Sequence, residues 1–255
     1  MDVLVPFTSF GLFVLACLVT LMAGVIKGAV GFGLPMLMIS GMSAFVAPEL
    51  ALATLIMPTL FTNVWQSLRQ GWRAALQSIV NYRVFLISGL ITLVLSAQWV
   101  PILPRSLLYL IVGLPVSVFA VMQLIGWQAK LTERSAARDA MVGGVAGFFG
   151  GLSGVWGPPT VAYLTAVNTP KTEQIRVQGT IYGLGAIALL GAHIQSGVLR
   201  AETLPLSMLM VVPAIAGMWL GMAVQDRINQ ATFRKITLIV LLFAGLNLIR
   251  RGILG

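Results

Sequence analysis

Charged residues divide this chain into long apolar runs. Residues 3–26, 28–48, 50–68, 84–104, 106–129, 140–170, 177–199, 203–225 and 236–249 contain no Asp, Glu, Lys or Arg. Most of these runs are close to the roughly 20 residues that cross a hydrocarbon core as a helix. None alternates polar with apolar positions, as a membrane-spanning β-strand of about 10 residues would. The pattern therefore predicts an all-α integral membrane protein, a helical bundle. Composition agrees: 58% of the residues are hydrophobic and 9% are charged, against about a quarter charged in a soluble domain. One feature breaks the pattern. Lys27 and then three glycines and a proline interrupt the first long hydrophobic region, in KGAVGFGLPMLM, residues 27–38.

A similar interruption recurs later. Setting AGVIKGAVGFGLPMLM (23–38) against AGFFGGLSGVWGPPTVAYL (146–164) at an offset of 123 pairs Gly24 with Gly147, Gly28 with Gly151, Gly31 with Gly154 and Pro35 with Pro158. Each interruption is followed by a charged loop, a long apolar stretch, a short polar stretch and two more apolar runs. The chain is thus read as two membrane repeats, 1–128 and 129–255. Each has a Gly/Pro-broken re-entrant or discontinuous helix pair plus three further helices.

Basic residues set the expected orientation. If each broken segment preserves parity, Arg69, Arg73, Arg83, Lys130, Arg134, Arg138, Lys171, Arg176, Arg227, Arg234 and Lys235 share one side. Arg105, Arg200, Arg250 and Arg251 face the other, and Lys27 stays within the membrane. By the positive-inside rule the side with eleven is cytoplasmic and both termini are outside. Each repeat then makes an odd number of crossings, so the second is inverted relative to the first. The net charge of +9 comes from single residues and pairs, without the basic stripe that nucleic acid requires. The N-terminus, MDVLVPF, lacks the basic region of a cleaved signal peptide. A lone Cys17 gives neither an intrachain disulfide nor a cysteine metal site.

Inverted repeats with interrupted helices in corresponding places are typical of secondary transporters, whose substrate site lies where the broken segments meet. Helix ends at such breaks expose backbone N–H groups and a partial positive charge, which favour an anion. Gly28, Gly31, Gly33, Gly151, Gly154 and Gly157 permit the turns, and Pro35, Pro158 and Pro159 suit the restarting helices. Lys27 adds a full charge. Asn63, Gln66 and Gln178, on the helices after the breaks, can hydrogen-bond an oxyanion, Ser153 can cap or line the second break, and Phe32 and Trp156 can wall the cavity. Competing readings attach to the same residues. Spacings such as Gly24-xxx-Gly28 also serve close helix packing, the amides also serve as interhelical hydrogen bonds, and Lys27 can snorkel to an interface if the first helix ends beside it.

The two glycine-rich segments, KGAVGFGLPMLM and GGVAGFFGGLSGVWGPPTVAYL, resemble the paired signatures of the sulfite exporter TauE/SafE family, which is similar in length and in its duplicated organisation. The resemblance implies a bacterial inner-membrane, multi-pass carrier of sulfite, sulfoacetate or a related organosulfonate, working by alternating access and doing no chemistry on its substrate. It implies no cofactor and no metal. The partners expected are a small anionic substrate and membrane lipid, not nucleic acid, with homodimerisation left open. The alternative from another class is an intramembrane serine protease. Gly151-Leu152-Ser153-Gly154 matches the G-x-S-G of rhomboid proteases, and His193 could supply the base of a dyad with Ser153. Against it, the repeat accounts for Gly151 and Gly154 without catalysis.

Overall fold

The computed structural model describes residues 10–42, 44–97, 104–127, 134–153, 157–195 and 198–254. These residues form eleven helices and no strand: α1 (Phe10–Val30), α2 (Leu34–Met42), α3 (Pro48–Leu68), α4 (Trp72–Asn81), α5 (Arg83–Ala97), α6 (Arg105–Leu124), α7 (Ala136–Ser153), α8 (Gly157–Ala166), α9 (Lys171–Gln195), α10 (Leu204–Arg227) and α11 (Gln230–Leu254). Among the described residues α1, α10 and α11 are each long and apolar enough to cross a membrane. At 1.5 Å per residue even the shortest, α1, reaches about 31 Å, the thickness of a hydrocarbon core. Helices α4 and α5 pass the same test only together, as a pair bent by 71°. The expected run between Arg83 and Arg105 is thus preceded by a separate short helix, and the first half of the chain carries one helix more than the sequence pattern predicts.

Two compact units are present. The first comprises residues up to Trp72 with Gly179–Ile228, and the second comprises Arg73–Gln178 with Asn229–Gly255. Each unit is therefore assembled from both halves of the chain.

In the first unit, glycines bring α1 and α10 into backbone contact. A Cβ on Gly24 would meet the Ala214 carbonyl, on Gly28 that of Met218, on Gly217 that of Leu21 and on Gly221 that of Val25. Position numbers rise together on the two helices, so they run parallel. Lipid tails are as apolar as leucine, so burying apolar surface gives little drive for helices to associate there; close van der Waals approach of small residues replaces it. Helix α2 folds back along α1. Ile26 lies beside Gly33, and Val19 packs against Gly41. The tip of this hairpin is Gly31–Gly33. Ala16, Ala23, Met38, Met42, Ala51, Met210 and Ala214 close the core beneath it. Where α3 and α10 end, Arg69 donates to Gln225 Oε1 at 2.9 Å and pairs with Asp226 at 2.5 Å.

The second unit uses the same device twice. Gly143 and Gly147 of α7 pack on the Phe85 and Gly89 carbonyls of α5, again in parallel. Gly113 of α6 meets Gly245 and Ile249 of α11, and Gly252 of α11 meets Ser106 of α6, so this pair runs antiparallel.

These contacts make a graded expectation. Gly221→Ala places a methyl on the α1 backbone and should destabilise the protein by about 1–3 kcal/mol, the usual cost of overpacking. Gly191→Ala, where nothing lies within 4 Å, should be neutral or slightly stabilising. Thermal unfolding of the two purified variants in detergent checks this, and equal melting temperatures would refute the packing role.

Candidate functional site

The first interruption is built from the hairpin tip and α3. Helix α1 runs on through Lys27 to Val30, and the Gly31 amide still donates to the Lys27 carbonyl at 2.6 Å. The chain then turns through Gly31 at φ +89° and Gly33 at φ +95°. Side-chain-bearing residues rarely adopt this left-handed region, so the turn requires glycine at both positions. The Leu37 amide bonds the Gly33 carbonyl at 3.0 Å, which starts α2 with Pro35 in its first turn. Proline suits that place because the amide it lacks would have no intrahelical acceptor. Phe32, between the two glycines, is buried.

Lys27 is the largest departure from what a lipid environment tolerates. Only 2% of its surface is exposed, so it does not snorkel to an interface. Its ammonium donates to Asn63 Oδ1 of α3 at 2.5 Å. One turn further along α3, Gln66 Nε2 donates to the Gly31 carbonyl at 3.0 Å. The two amides therefore tie the cation and the turn to a single helix. Among the described residues no carboxylate lies within ion-pair distance of Lys27; the ion pairs join Arg69 to Asp226, Arg134 to Asp139 and Arg200 to Glu202. An amide oxygen supplies a dipole but no charge, so a buried positive charge is left uncompensated.

The other predicted residues are placed as follows. Gly28 faces α10 at the Met218 carbonyl, in the packing seam. Gly151 and Ser153 lie in the last turn of α7, and Gly157 and Pro158 open α8, with Pro158 buried. Gly154 and Trp156 lie outside the described residues, as do the side chains of Ser153 and His193. Gln178 is fully buried on α9, in the second unit. The structure thus brings together Lys27, Gly31, Asn63 and Gln66 in one unit, and it carries the second interruption in the other.

Sequence reasoning missed one polar cluster in the second unit. Asp139, in the first turn of α7, is buried; it pairs with Arg134 at 2.5 Å and accepts from the Tyr163 hydroxyl of α8 at 2.7 Å. Arg134 also donates to the Asn81 carbonyl at 2.9 Å and lies 3.6 Å from the ring centroid of Tyr82. The available signal was an Arg and an Asp five residues apart at a helix start, which reads as an ordinary segment end. An apolar groove of about 490 Å³ in the first unit, lined by Trp65, Val212, Ile215, Met218, Trp219 and Met222 among others, has no charged side chain in its lining.

The model of the sulfite exporter TauE/SafE family matches residues 16–248, nearly the whole chain. The chain belongs to that family. Membership makes it a membrane transporter, and three apolar helices long enough to cross a bilayer agree with that place. No curated protein and no solved structure matches it. Nothing in the family match supports the serine protease alternative.

The Lys27–Asn63 pair predicts a specific pattern of stability in this TauE/SafE protein. Asn63→Leu leaves a buried ammonium without its acceptor and should cost about 1–3 kcal/mol. Adding Lys27→Met should recover most of that loss, since replacing both partners of a buried pair by apolar groups is far milder than removing one. A double-mutant cycle by thermal unfolding measures the coupling, and strictly additive effects would exclude the pairing.

Proposed function

We propose that this TauE/SafE protein carries a small sulfur oxyanion or organosulfonate, such as sulfite or sulfoacetate, and that Lys27 at the first interruption meets the anion's charge. The observation that carries this reading is the buried ammonium whose only hydrogen-bond partner among the described residues is the neutral Asn63 side chain. An anion supplies the missing counter-charge. Gly31 and Gly33 let it approach the backbone, and the N-terminus of α2 points partial positive charge at the turn. Asn63 and Gln66 offer amide groups that can reorient from intramolecular hydrogen bonds to substrate. Asn63 lies six residues, about 9 Å along α3, from Arg69, so the site sits on the Arg69 side of the membrane's middle.

Two inverted repeats, 1–128 and 129–255, fit the helix directions within each unit. Helix α1 runs parallel to α10, and α7, which corresponds to α1, runs parallel to α5. Helices α6 and α11, the last of each half, pack antiparallel, as an axis lying in the membrane plane demands. The folded-back α1–α2 hairpin preserves parity, which the eleven-to-four division of basic residues assumes. In this reading Gly151, Ser153, Gly154, Trp156, Gly157, Pro158 and Gln178 are the candidate substrate contacts of the second interruption, and alternating access moves the anion between two sides of the inner membrane.

Two measurements test it. With Cys17 replaced and single cysteines placed at Gln70, Ile102, Gln128 and Gln195, an impermeant thiol reagent on intact cells should label Ile102 and Gln195 and spare the other two. Labelling of Ile102 and Gln128 from one side would overturn the inverted arrangement.

The second measurement concerns affinity. Lys27→Gln removes a charge-assisted contact of roughly 1.5–3 kcal/mol, so the concentration of sulfite or sulfoacetate needed for half-maximal uptake into proteoliposomes should rise by one to two orders of magnitude. Lys27→Arg should recover part of the loss, because it restores the charge with a different shape and reach. Wild-type affinity in Lys27→Gln would remove the lysine from the site.

A further inference from the structure

Helix α4 divides its surface into three strips. Ala75, Ser78 and, just past the helix end, Tyr82 are buried, and Ser78 Oγ accepts from Arg176 Nε of α9 at 2.8 Å. Trp72, Leu76 and Val80 repeat every fourth residue and are 62%, 49% and 52% exposed. Arg73, Gln77 and Asn81 also repeat every fourth residue and are exposed, with Gln77 Nε2 donating to Asn81 Oδ1 at 2.7 Å. At 3.6 residues per turn each strip takes roughly a third of the circumference: one against protein, one apolar, one polar.

This arrangement separates α4 from the spans. A helix facing hydrocarbon all along its free side would carry no exposed arginine, glutamine and asparagine, because each would lose its water. A helix wholly in water would not hold out a tryptophan, a leucine and a valine in line. Ten residues reach about 15 Å, half the hydrocarbon thickness, and the axis turns by 71° into α5. Arg73 and Arg83, both exposed, bracket the helix with positive charge that complements anionic lipid headgroups.

We propose that α4 lies in the headgroup region of an anionic leaflet, with Trp72, Leu76 and Val80 seated in the lipid and Arg73, Gln77 and Asn81 in contact with water. The bilayer surface is the partner of this face. Through the Ser78–Arg176 hydrogen bond, the lipid-seated helix also holds the start of α9, two residues before Gln178. The assignment is independent of which anion the protein carries.

Nitroxide labels placed singly at residues 72, 73, 76, 77 and 80, in a background lacking Cys17, test it in liposomes of phosphatidylethanolamine and phosphatidylglycerol. Labels at 72, 76 and 80 should report oxygen-accessible positions at one shallow depth, and those at 73 and 77 should be reached by a water-soluble nickel complex. A steady change in depth of about 12 Å from residue 72 to residue 80, at 1.5 Å per residue, would overturn the proposal by making α4 part of a span. Inaccessibility of 76 and 80 to both reagents would also overturn it, by showing that a second copy of the chain or another protein covers the face. As a second arm, spin-labelled phosphatidylglycerol should associate about two- to fivefold more strongly than phosphatidylcholine with the wild type, and this preference should fall toward parity in Arg73→Gln/Arg83→Gln. Parity already in the wild type would refute the anionic partner.

Discussion

The ammonium of Lys27 buried against an amide is the constraint around which the first unit is arranged. A lysine in a membrane helix costs several kcal/mol unless something compensates it. Here the compensation among the described residues is one dipole, Asn63 Oδ1. That choice has consequences for the charge of the first unit. A carboxylate in place of Asn63 would neutralise the charge. An alkyl group would leave the ammonium bare and the unit unstable. An amide holds the side chain in position without neutralising it.

Holding such a group requires a rigid frame, and in lipid that frame cannot come from expelling water. Glycines supply it. The contacts of Gly24 and Gly28 with α10, and of Gly217 and Gly221 with α1, fix the axis that carries Lys27 by backbone approach alone. Gly179 and the Ser67–Thr180 hydroxyl pair at 2.8 Å do the same between α3 and α9, next to the helix that carries Asn63. Glycine therefore has two separate uses along this segment. Gly28 gives close packing within a helix, and Gly31 and Gly33 give left-handed backbone at the turn. One sequence run, KGAVGFG, encodes a cation, a seam and a turn in succession.

Much of this was legible in the sequence because membranes make their demands in one dimension. Charge-free runs fixed the helical class, and Gly31, Gly33 and Pro35 marked the break to within a residue or two. Asn63 and Gln66 stood out as polar residues in an apolar helix. Their partners did not, since a contact 36 residues apart depends on how α2 folds back, and spacing carries no record of that. The bend between α4 and α5 was hidden for a different reason: Trp72, Leu76 and Val80 alternate with polar residues in a way that a charge count reads as a loop. The Arg134–Asp139–Tyr163 cluster looked like a segment boundary because burial at a helix end cannot be seen from composition.

The two interruptions resemble each other in the spacing of Gly and Pro and differ in charge. At the offset that aligns their glycines, Lys27 corresponds to Gly150, so the cation belongs to one half alone. The buried charges of the second unit are instead closed on themselves, Asp139 against Arg134 with Tyr163 completing the carboxylate's hydrogen bonding. A recurring glycine and proline pattern thus accompanies a charge that does not recur. A single lysine beside the Gly31–Gly33 turn leaves its one ammonium in the first unit held by an amide, whereas the second unit's carboxylate is already paired.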